Sequence, residues 1–281
     1  MILDGKALSK KRKDILKEEV LRLKDIYNKV PKLAIIMVGN SPASQIYVRN
    51  KIKACTYCNM ESELIHLDET VTMEELLSII NKLNNDPLVN GIIAQLPLPK
   101  HLNEQLVIDS ISPDKDVDGF SLVNKGKLFC GIPSFTPATP QGIMTILEEY
   151  NIELEGKTAV VIGRSNIVGK PMAQLLLNKN ATVTICHSRT KNLKEVAKQA
   201  DILVVAIGKA NFVTADMIKE GATVIDVGIN RIDEKLYGDV DFEGAKYIAG
   251  YISPVPGGVG PMTITTLLEH TVKAFKLQNN K

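Results

Sequence analysis

An apolar run emptying into a glycine-bounded turn, Thr158-Ala-Val-Val-Ile-Gly163-Arg-Ser-Asn-Ile-Val-Gly169-Lys170-Pro171, constrains this chain more than any other stretch. Strand, tight turn and helix start, in that order, make a βαβ unit whose helix N-terminus turns free amides towards an anion. Such units build parallel sheets with helices on both faces. The turn is not a standard dinucleotide fingerprint, because Ser165 stands at the second glycine position. Nor is it a Walker loop. Five residues separate Gly163 from Gly169, and Pro171 replaces the hydroxyl residue that would ligate Mg²⁺. The missing Mg²⁺ ligand argues against ATP hydrolysis and favours a cofactor cradle over a tight structural turn.

The rest of the chain repeats the same rhythm. Residues 6–28 form an amphipathic pattern that includes Ile15, Leu16 and Val20, with Lys10-Lys-Arg-Lys13 as its solvated face. Lys32-Leu-Ala-Ile-Ile-Met-Val-Gly39 reads as a buried strand, and Ser41-Pro42 as the N-cap and first turn of the next helix. Leu64-Ile-His-Leu67 is a short strand, residues 72–84 a helix, and Gly91-Ile-Ile-Ala-Gln-Leu96 a buried strand stopped by Pro97. Ser112 to Pro140, rich in Pro and Gly, carries the crossing to a second domain that opens with a helix from Thr139 to Tyr150. Strands follow near 158–162, 181–186, 201–207 and 223–227, and a closing helix spans Met262 to Leu277. The expected class is α/β in two domains with a cleft between them. Residues 1–138, with the closing helix to 281, form one domain, and 139–261 form a Rossmann-like one.

With 281 residues, 44% of them hydrophobic, the chain can fill two modest cores. A net charge of +2 leaves no nucleic-acid footprint. No apolar stretch approaches a membrane span and no signal-peptide core opens the chain, so a cytoplasmic protein is expected. Cys55, Cys58, Cys130 and Cys186 are too scattered for a disulfide framework. Cys55-Thr-Tyr-Cys58 has redox or zinc spacing, but no second pair accompanies it and it falls within a helical pattern, which makes it structural.

The second strand of the glycine-turn domain ends in Cys186-His-Ser-Arg-Thr190, about 20 residues beyond the turn, where a ribose-binding acid would stand in an NAD site. No Asp or Glu is there. His187, Ser188 and Arg189, with Arg164 in the turn, offer the donors that a 2′-phosphate prefers, which favours NADP over NAD. A plain surface charge is the alternative for Arg189.

In the N-terminal half, Tyr47 and Lys51 lie four apart on one helical pattern and share a face. Alone, such a pair reads as structural. Gln95 closes a buried strand and Asp118 follows a Pro-bounded loop. Strand carboxyl ends are where open α/β sheets bind ligands. A carboxamide and a carboxylate there suit a polar heterocycle, with Tyr47 as a flat platform.

The chain as a whole resembles the bifunctional methylenetetrahydrofolate dehydrogenase/cyclohydrolases. The resemblance rests on Ser44-x-x-Tyr47-Val-x-x-Lys51, Gln95-Leu-Pro-Leu-Pro99, Asp114-Lys-Asp-Val-Asp-Gly119 and Thr136-Pro-Ala-Thr-Pro-Gln-Gly142. It continues through Gly163-Arg-Ser-x-x-Val-Gly-Lys-Pro171, Cys186-His-Ser-Arg-Thr190 and Pro254-Val-Pro-Gly-Gly-Val-Gly-Pro-Met-Thr263. It implies oxidation of 5,10-methylenetetrahydrofolate with NADP, then hydrolysis of the methenyl cation to 10-formyltetrahydrofolate. By matching position, Lys51 would handle protons, Gln95 orient it, Tyr47 stack and Asp118 anchor the pterin. Folate contacts would come from those four together with Leu96, Pro97, Pro256, Gly257, Gly258 and Pro261. Cofactor contacts would come from Gly163, Arg164, Ser165, Ile167, Val168, Gly169, His187, Ser188, Arg189, Thr190 and Ile229, with no metal. A homodimer built through the cofactor domain is also implied.

Three positions depart from the family pattern. Cys58-Asn59-Met60 replaces a usual Gly-Ile, Ala94 replaces a larger aliphatic residue before Gln95, and Ala138 stands where a Cys is common. Asn59 can still adopt the left-handed turn that Gly would supply. Ala94 bears on how Gln95 is aimed, so a monofunctional dehydrogenase is the nearest rival. A non-catalytic nucleotide-binding regulator and an NADP oxidoreductase of the shikimate type are more distant ones.

Overall fold

The computed structural model describes residues 1–279. The chain divides into two compact units, Lys10–Ala138 with Ile264–Lys281, and Met1–Ser9 with Thr139–Thr263. The division differs from expectation at the N-terminus. Leu3 and Leu8 pack with Ile143, Leu147 and Val259, so the first nine residues join the glycine-turn unit. The expected closing segment runs to 281, and its residues 280 and 281 lie outside those described.

In chain order, the elements begin with α1 (Gly5–Tyr27), β1 (Lys32–Val38), α2 (Pro42–Tyr57), β2 (Glu61–Leu67), α3 (Met73–Asn85) and β3 (Gly91–Ala94). Next come α4 (Glu104–Ser110), α5 (Leu122–Phe129), α6 (Ala138–Glu149), β4 (Thr158–Ile162), α7 (Gly169–Leu177) and β5 (Thr182–Cys186). The chain continues through α8 (Leu193–Ala197), β6 (Ile202–Val205), a 3₁₀ turn at Ala215–Met217, β7 (Thr223–Asp226), β8 (Asn230–Ile232) and β9 (Lys235–Tyr237). It ends with α9 (Phe242–Ala245), β10 (Tyr251–Ile252) and α10 (Val259–Asn279).

The first unit is built on a parallel sheet ordered β2-β1-β3. Alternate residues of β1 enter two cores. Leu33, Ile35 and Met37 meet α1, α2 and α10, while Ala34, Ile36 and Val38 meet α3 and α4. With helices on both faces, β3 and all of β1 after Lys32 must be apolar, as they are. Because β1 lies between β2 and β3, the chain leaves its carboxyl end in one direction and returns on the other side. The loops after β1 and β3 therefore flank a switch point, where open sheets hold ligands. Ser41 caps α2 by accepting the Ser44 amide at 3.4 Å, with Pro42 in the first turn. Asn59 adopts φ +58° after the helix.

The second unit carries a five-stranded parallel sheet ordered β10-β7-β6-β4-β5, doubly wound with its switch point between β4 and β6. β4 again divides its side chains, Ala159 and Val161 to one core and Val160 and Ile162 to the other. The β8-β9 hairpin projects from the loop after β7.

One expectation on α1 is overturned. Ile15 is 61% exposed instead of lying in the buried stripe, because Leu16, Val20 and Leu23 fill the contact with the sheet. The basic run is solvated only in part, since Arg12 is half-buried and its Nε pairs with Glu269 of α10 at 2.6 Å. No helix among the described residues is long and apolar enough to cross a membrane.

Candidate functional site

At the switch point of the three-stranded sheet, α2 and the end of β3 bring two predicted residues into contact. Lys51 Nζ donates to Gln95 Oε1 at 3.1 Å. Gln95 is itself held twice. Its backbone amide donates to Ile36 of β1 at 2.8 Å, and its Nε2 donates to the Leu96 carbonyl at 2.8 Å. The second bond sets the amide so that oxygen, not nitrogen, faces the amine. Tyr47, one turn before Lys51, leaves its ring 42% exposed beside it. Leu96 is half-buried and Pro97 exposed, and the peptide between them is cis.

Burial pulls the Lys51 ammonium below the ordinary lysine range, and the charge of Asp118 opposes that pull. Asp118 moves the other way. Burial and the nearby Asp116 raise it, while Lys51 holds it down. Both groups are therefore drawn towards neutrality from the values they would have in water. Burial also pushes Cys55 up to about 12 and Cys58 to about 11, so neither is a thiolate near neutral pH.

The segment bearing Asp118 is fixed from all sides by residues that sequence reasoning missed. Asp116 is buried and accepts the Phe120 amide at 3.1 Å, the Ser121 amide at 2.8 Å and Asn124 Nδ2 at 2.9 Å. Buried Lys115 donates to the Leu83 and Asp86 carbonyls at 3.0 and 2.7 Å, tying the segment to the end of α3. On the other side, His270 of α10 bonds the Val117 carbonyl through Nδ1 at 2.9 Å. Burial pushes His270 down to about 4, so the ring is neutral and Nδ1 is the donor. The only hint in the sequence was three acidic residues within Asp114-Lys-Asp-Val-Asp118, which did not say which faces inward.

The remaining predicted residues lie in the other unit, at the carboxyl ends of its strands. A Cβ on Gly163 (φ +134°) would stand 2.3 Å from the Ala206 oxygen, and one on Gly169 would stand 2.3 Å from the Gly163 oxygen. Only glycine allows the turn to close this tightly between β4 and β6. Within the turn, Ser165 Oγ accepts the Val168 and Gly169 amides at 3.1 and 3.3 Å. Arg164, Ser165 and Ile167 are exposed there. After β5, Thr190 Oγ1 accepts the His187 amide at 2.8 Å, and His187 Nδ1 accepts the Arg189 amide at 3.2 Å. The backbone is thereby folded so that Ser188 and Arg189 remain exposed. Ile229 is exposed in the loop after β7. Pro256, Gly257 and Gly258 form the loop into α10 and Pro261 stands in the first turn of that helix; the Gly257 carbonyl accepts the Lys6 amide at 2.8 Å and Val255–Pro256 is cis.

Comparison with known proteins agrees with this geometry. A family model described as the tetrahydrofolate dehydrogenase/cyclohydrolase catalytic domain matches residues 3–118, and one described as the NAD(P)-binding domain of the same proteins matches residues 137–279. The bifunctional protein FolD of Halalkalibacterium halodurans is 56% identical over 276 residues, covering 98% of this chain and 99% of its own. The crystal structure of a bifunctional FolD methylenetetrahydrofolate dehydrogenase/cyclohydrolase from Campylobacter jejuni superposes with a TM-score of 0.97 at 53% identity, covering 99% of each chain. A FolD from Trypanosoma brucei, solved with NADP and an inhibitor, gives 0.96 at 38% identity over 100% of this chain and 99% of its own. Sheet orders, the Lys51–Gln95 contact and the glycine turn thus stand in a chain that belongs to the tetrahydrofolate dehydrogenase/cyclohydrolase family.

Proposed function

We propose that this protein oxidises 5,10-methylenetetrahydrofolate with NADP and hydrolyses the resulting 5,10-methenyl cation to 10-formyltetrahydrofolate. The observation that carries the reading is the half-buried Lys51 amine, lowered in pKa and aimed by Gln95 at a sheet switch point. Folate chemistry belongs to the unit holding Lys51 and cofactor binding to the unit holding Gly163.

The residues present fit NADP. The Gly163–Gly169 turn leads from β4 into the start of α7, and Arg164, Ser188 and Arg189 supply exposed donors where no carboxylate follows β5. NADP, when bound, accepts a hydride from the methylene carbon. The protein's share of that step is orientation, with the Tyr47 ring as platform and Asp118 as partner for the N–H groups of the pterin. The product is a cation, so no base is needed for it.

Hydrolysis does need proton transfers. Water adds to the methenyl carbon and gives up one proton, the carbon–nitrogen bond to the ring opens, and the freed ring nitrogen keeps the second proton. A neutral lysine can take the first proton, which requires a pKa drawn from about 10.4 towards roughly 7–8. Burial works in that direction, and the positive charge of the substrate adds to it.

The monofunctional alternative is not favoured. Ala94, the departure next to Gln95, is buried in the β3 core and leaves the Lys51–Gln95 bond in place. A homodimer through the cofactor unit is supported by the edge position of β5, where Ile185 is 40% exposed, and by the end of α7, where Leu177 is 52% exposed. Free, protonated thiols suit the reducing cytoplasm. Two assays on the purified protein test the reading, NADPH formation from methylenetetrahydrofolate and loss of methenyltetrahydrofolate without NADP. Both activities are expected, and absence of either would refute that half of the assignment.

A further inference from the structure

Two buried carboxylates at the carboxyl ends of β6 and β7 take no part in the steps above. Asp239, with no exposed surface, accepts the Ile207 and Gly208 amides on Oδ2 at 2.7 and 2.9 Å. Its Oδ1 accepts the Lys209 amide at 2.8 Å and Asn230 Nδ2 at 2.9 Å. Three successive amides converging on one anion form the kind of nest that elsewhere binds phosphate, and here the chain supplies its own anion. Asp226, the last residue of β7, accepts the Gly228 and Asp239 amides on Oδ1 at 3.0 and 2.8 Å and the Val240 amide on Oδ2 at 2.9 Å. Glycines make room for both. A Cβ on Gly228 would stand 2.2 Å from Asp239 Oδ1, and one on Gly238 would stand 1.8 Å from Asp226 Oδ2.

The loop that Asp239 holds is a wall of the glycine turn. The Ala206 amide donates to Ile162 at 2.8 Å, and the Ala206 oxygen is the atom that a Gly163 side chain would strike. Asn230 follows Ile229 directly, so the same carboxylate also anchors the loop after β7. Both loops leave the sheet beside the β4/β6 switch point.

We infer that Asp239 is a positioning residue for the NADP site, fixing the course of Ile207–Lys209 against the Gly163 turn through hydrogen bonds and without touching the cofactor. This rests on the cofactor reading above. Asparagine has the same shape but turns an N–H towards amide donors, so it cannot keep all four bonds.

The test compares full-length wild type, D239N and N230A by calorimetric titration with NADP, alongside KM for each substrate and the NADP-free hydrolysis of methenyltetrahydrofolate. For D239N, the Kd and KM for NADP rise about tenfold, while the KM for methylenetetrahydrofolate and the hydrolysis rate shift by no more than about twofold. N230A, which removes one donor, raises the NADP values about threefold and decides the matter if D239N does not fold. Unchanged NADP affinity in either folded variant, or an equal loss on the folate side, overturns the inference. Wild type that binds NADP but reduces none with methylenetetrahydrofolate would contradict the reaction assignment instead, and the titrations would still decide the role of Asp239.

Discussion

Lys51 and Gln95 sit on different elements of one switch point, and the 3.1 Å bond between them is oriented from the Gln95 side, whose amide nitrogen is tied to Leu96. The amine therefore meets an acceptor that cannot turn away without breaking a second bond. Burial lowers Lys51 and Asp118 opposes that shift, so the pair sets how readily the amine gives up its proton. Followed by NMR of its ε-carbon, Lys51 titrates below the ordinary 10.5, and in D118N it titrates lower still because the opposing charge is gone. An unshifted Lys51, or a rise in D118N, would contradict this electrostatic account.

Asp118 is also the residue assigned to grip the pterin. D118A raises the Kd for folate by about 10- to 100-fold, the cost of one or two charge-assisted hydrogen bonds, and leaves NADP affinity untouched. Fluorescence titration with each ligand separates the two. Equal folate affinity in the variant would remove the anchor role.

Arg189 is exposed after β5, with its backbone folded back onto His187. R189A weakens NADP about tenfold and NAD by no more than about twofold, since only NADP carries the 2′-phosphate that a guanidinium grips in bidentate fashion. Binding constants for both dinucleotides test this, and a parallel loss would show that Arg189 does not read the phosphate.

His270 links pH to stability. Its folded pKa of about 4 lies below the ordinary 6.5, so between those values the unfolded chain binds more protons than the native one. The contribution is fully present above pH 6.5 and is lost as pH falls towards 4, amounting to about 3 kcal/mol over the whole window. In H270Q, which can still donate to the Val117 carbonyl, that slope disappears. Urea denaturation of both proteins at pH 4.5 and pH 7, values chosen within and above this window, checks it. Parallel profiles would mean that the imidazole is not held neutral.

Much of this was legible in the sequence for a simple reason. Strands β1, β3, β4, β6 and β7 lie between two helical layers, so burial on both faces writes each one as an apolar run. Where that constraint lapses, the signal lapses too. Edge strand β2 begins at Glu61, three residues before its first large apolar side chain, because an edge tolerates polar residues. The β8-β9 hairpin turns on Asp233 and Glu234, with φ of +45° and +65°, instead of the Asn-Gly that would announce it. Helix spacing, a strand end and a Pro-bounded loop singled out Lys51, Gln95 and Asp118, and the family resemblance gave them their roles. The supports Asp116, His270 and Asp239 could not, since each acts on backbone amides or carbonyls whose positions exist only once the loops are folded.

The central claim is that Lys51 moves the proton in hydrolysis, and the K51M variant tests it most directly. Loss of methenyltetrahydrofolate is followed by absorbance with no NADP present. The rate falls by about 10²- to 10⁴-fold, the usual contribution of a positioned acid–base group, while methenyltetrahydrofolate still binds. A K51M enzyme that hydrolyses the cation at the native rate would contradict the claim.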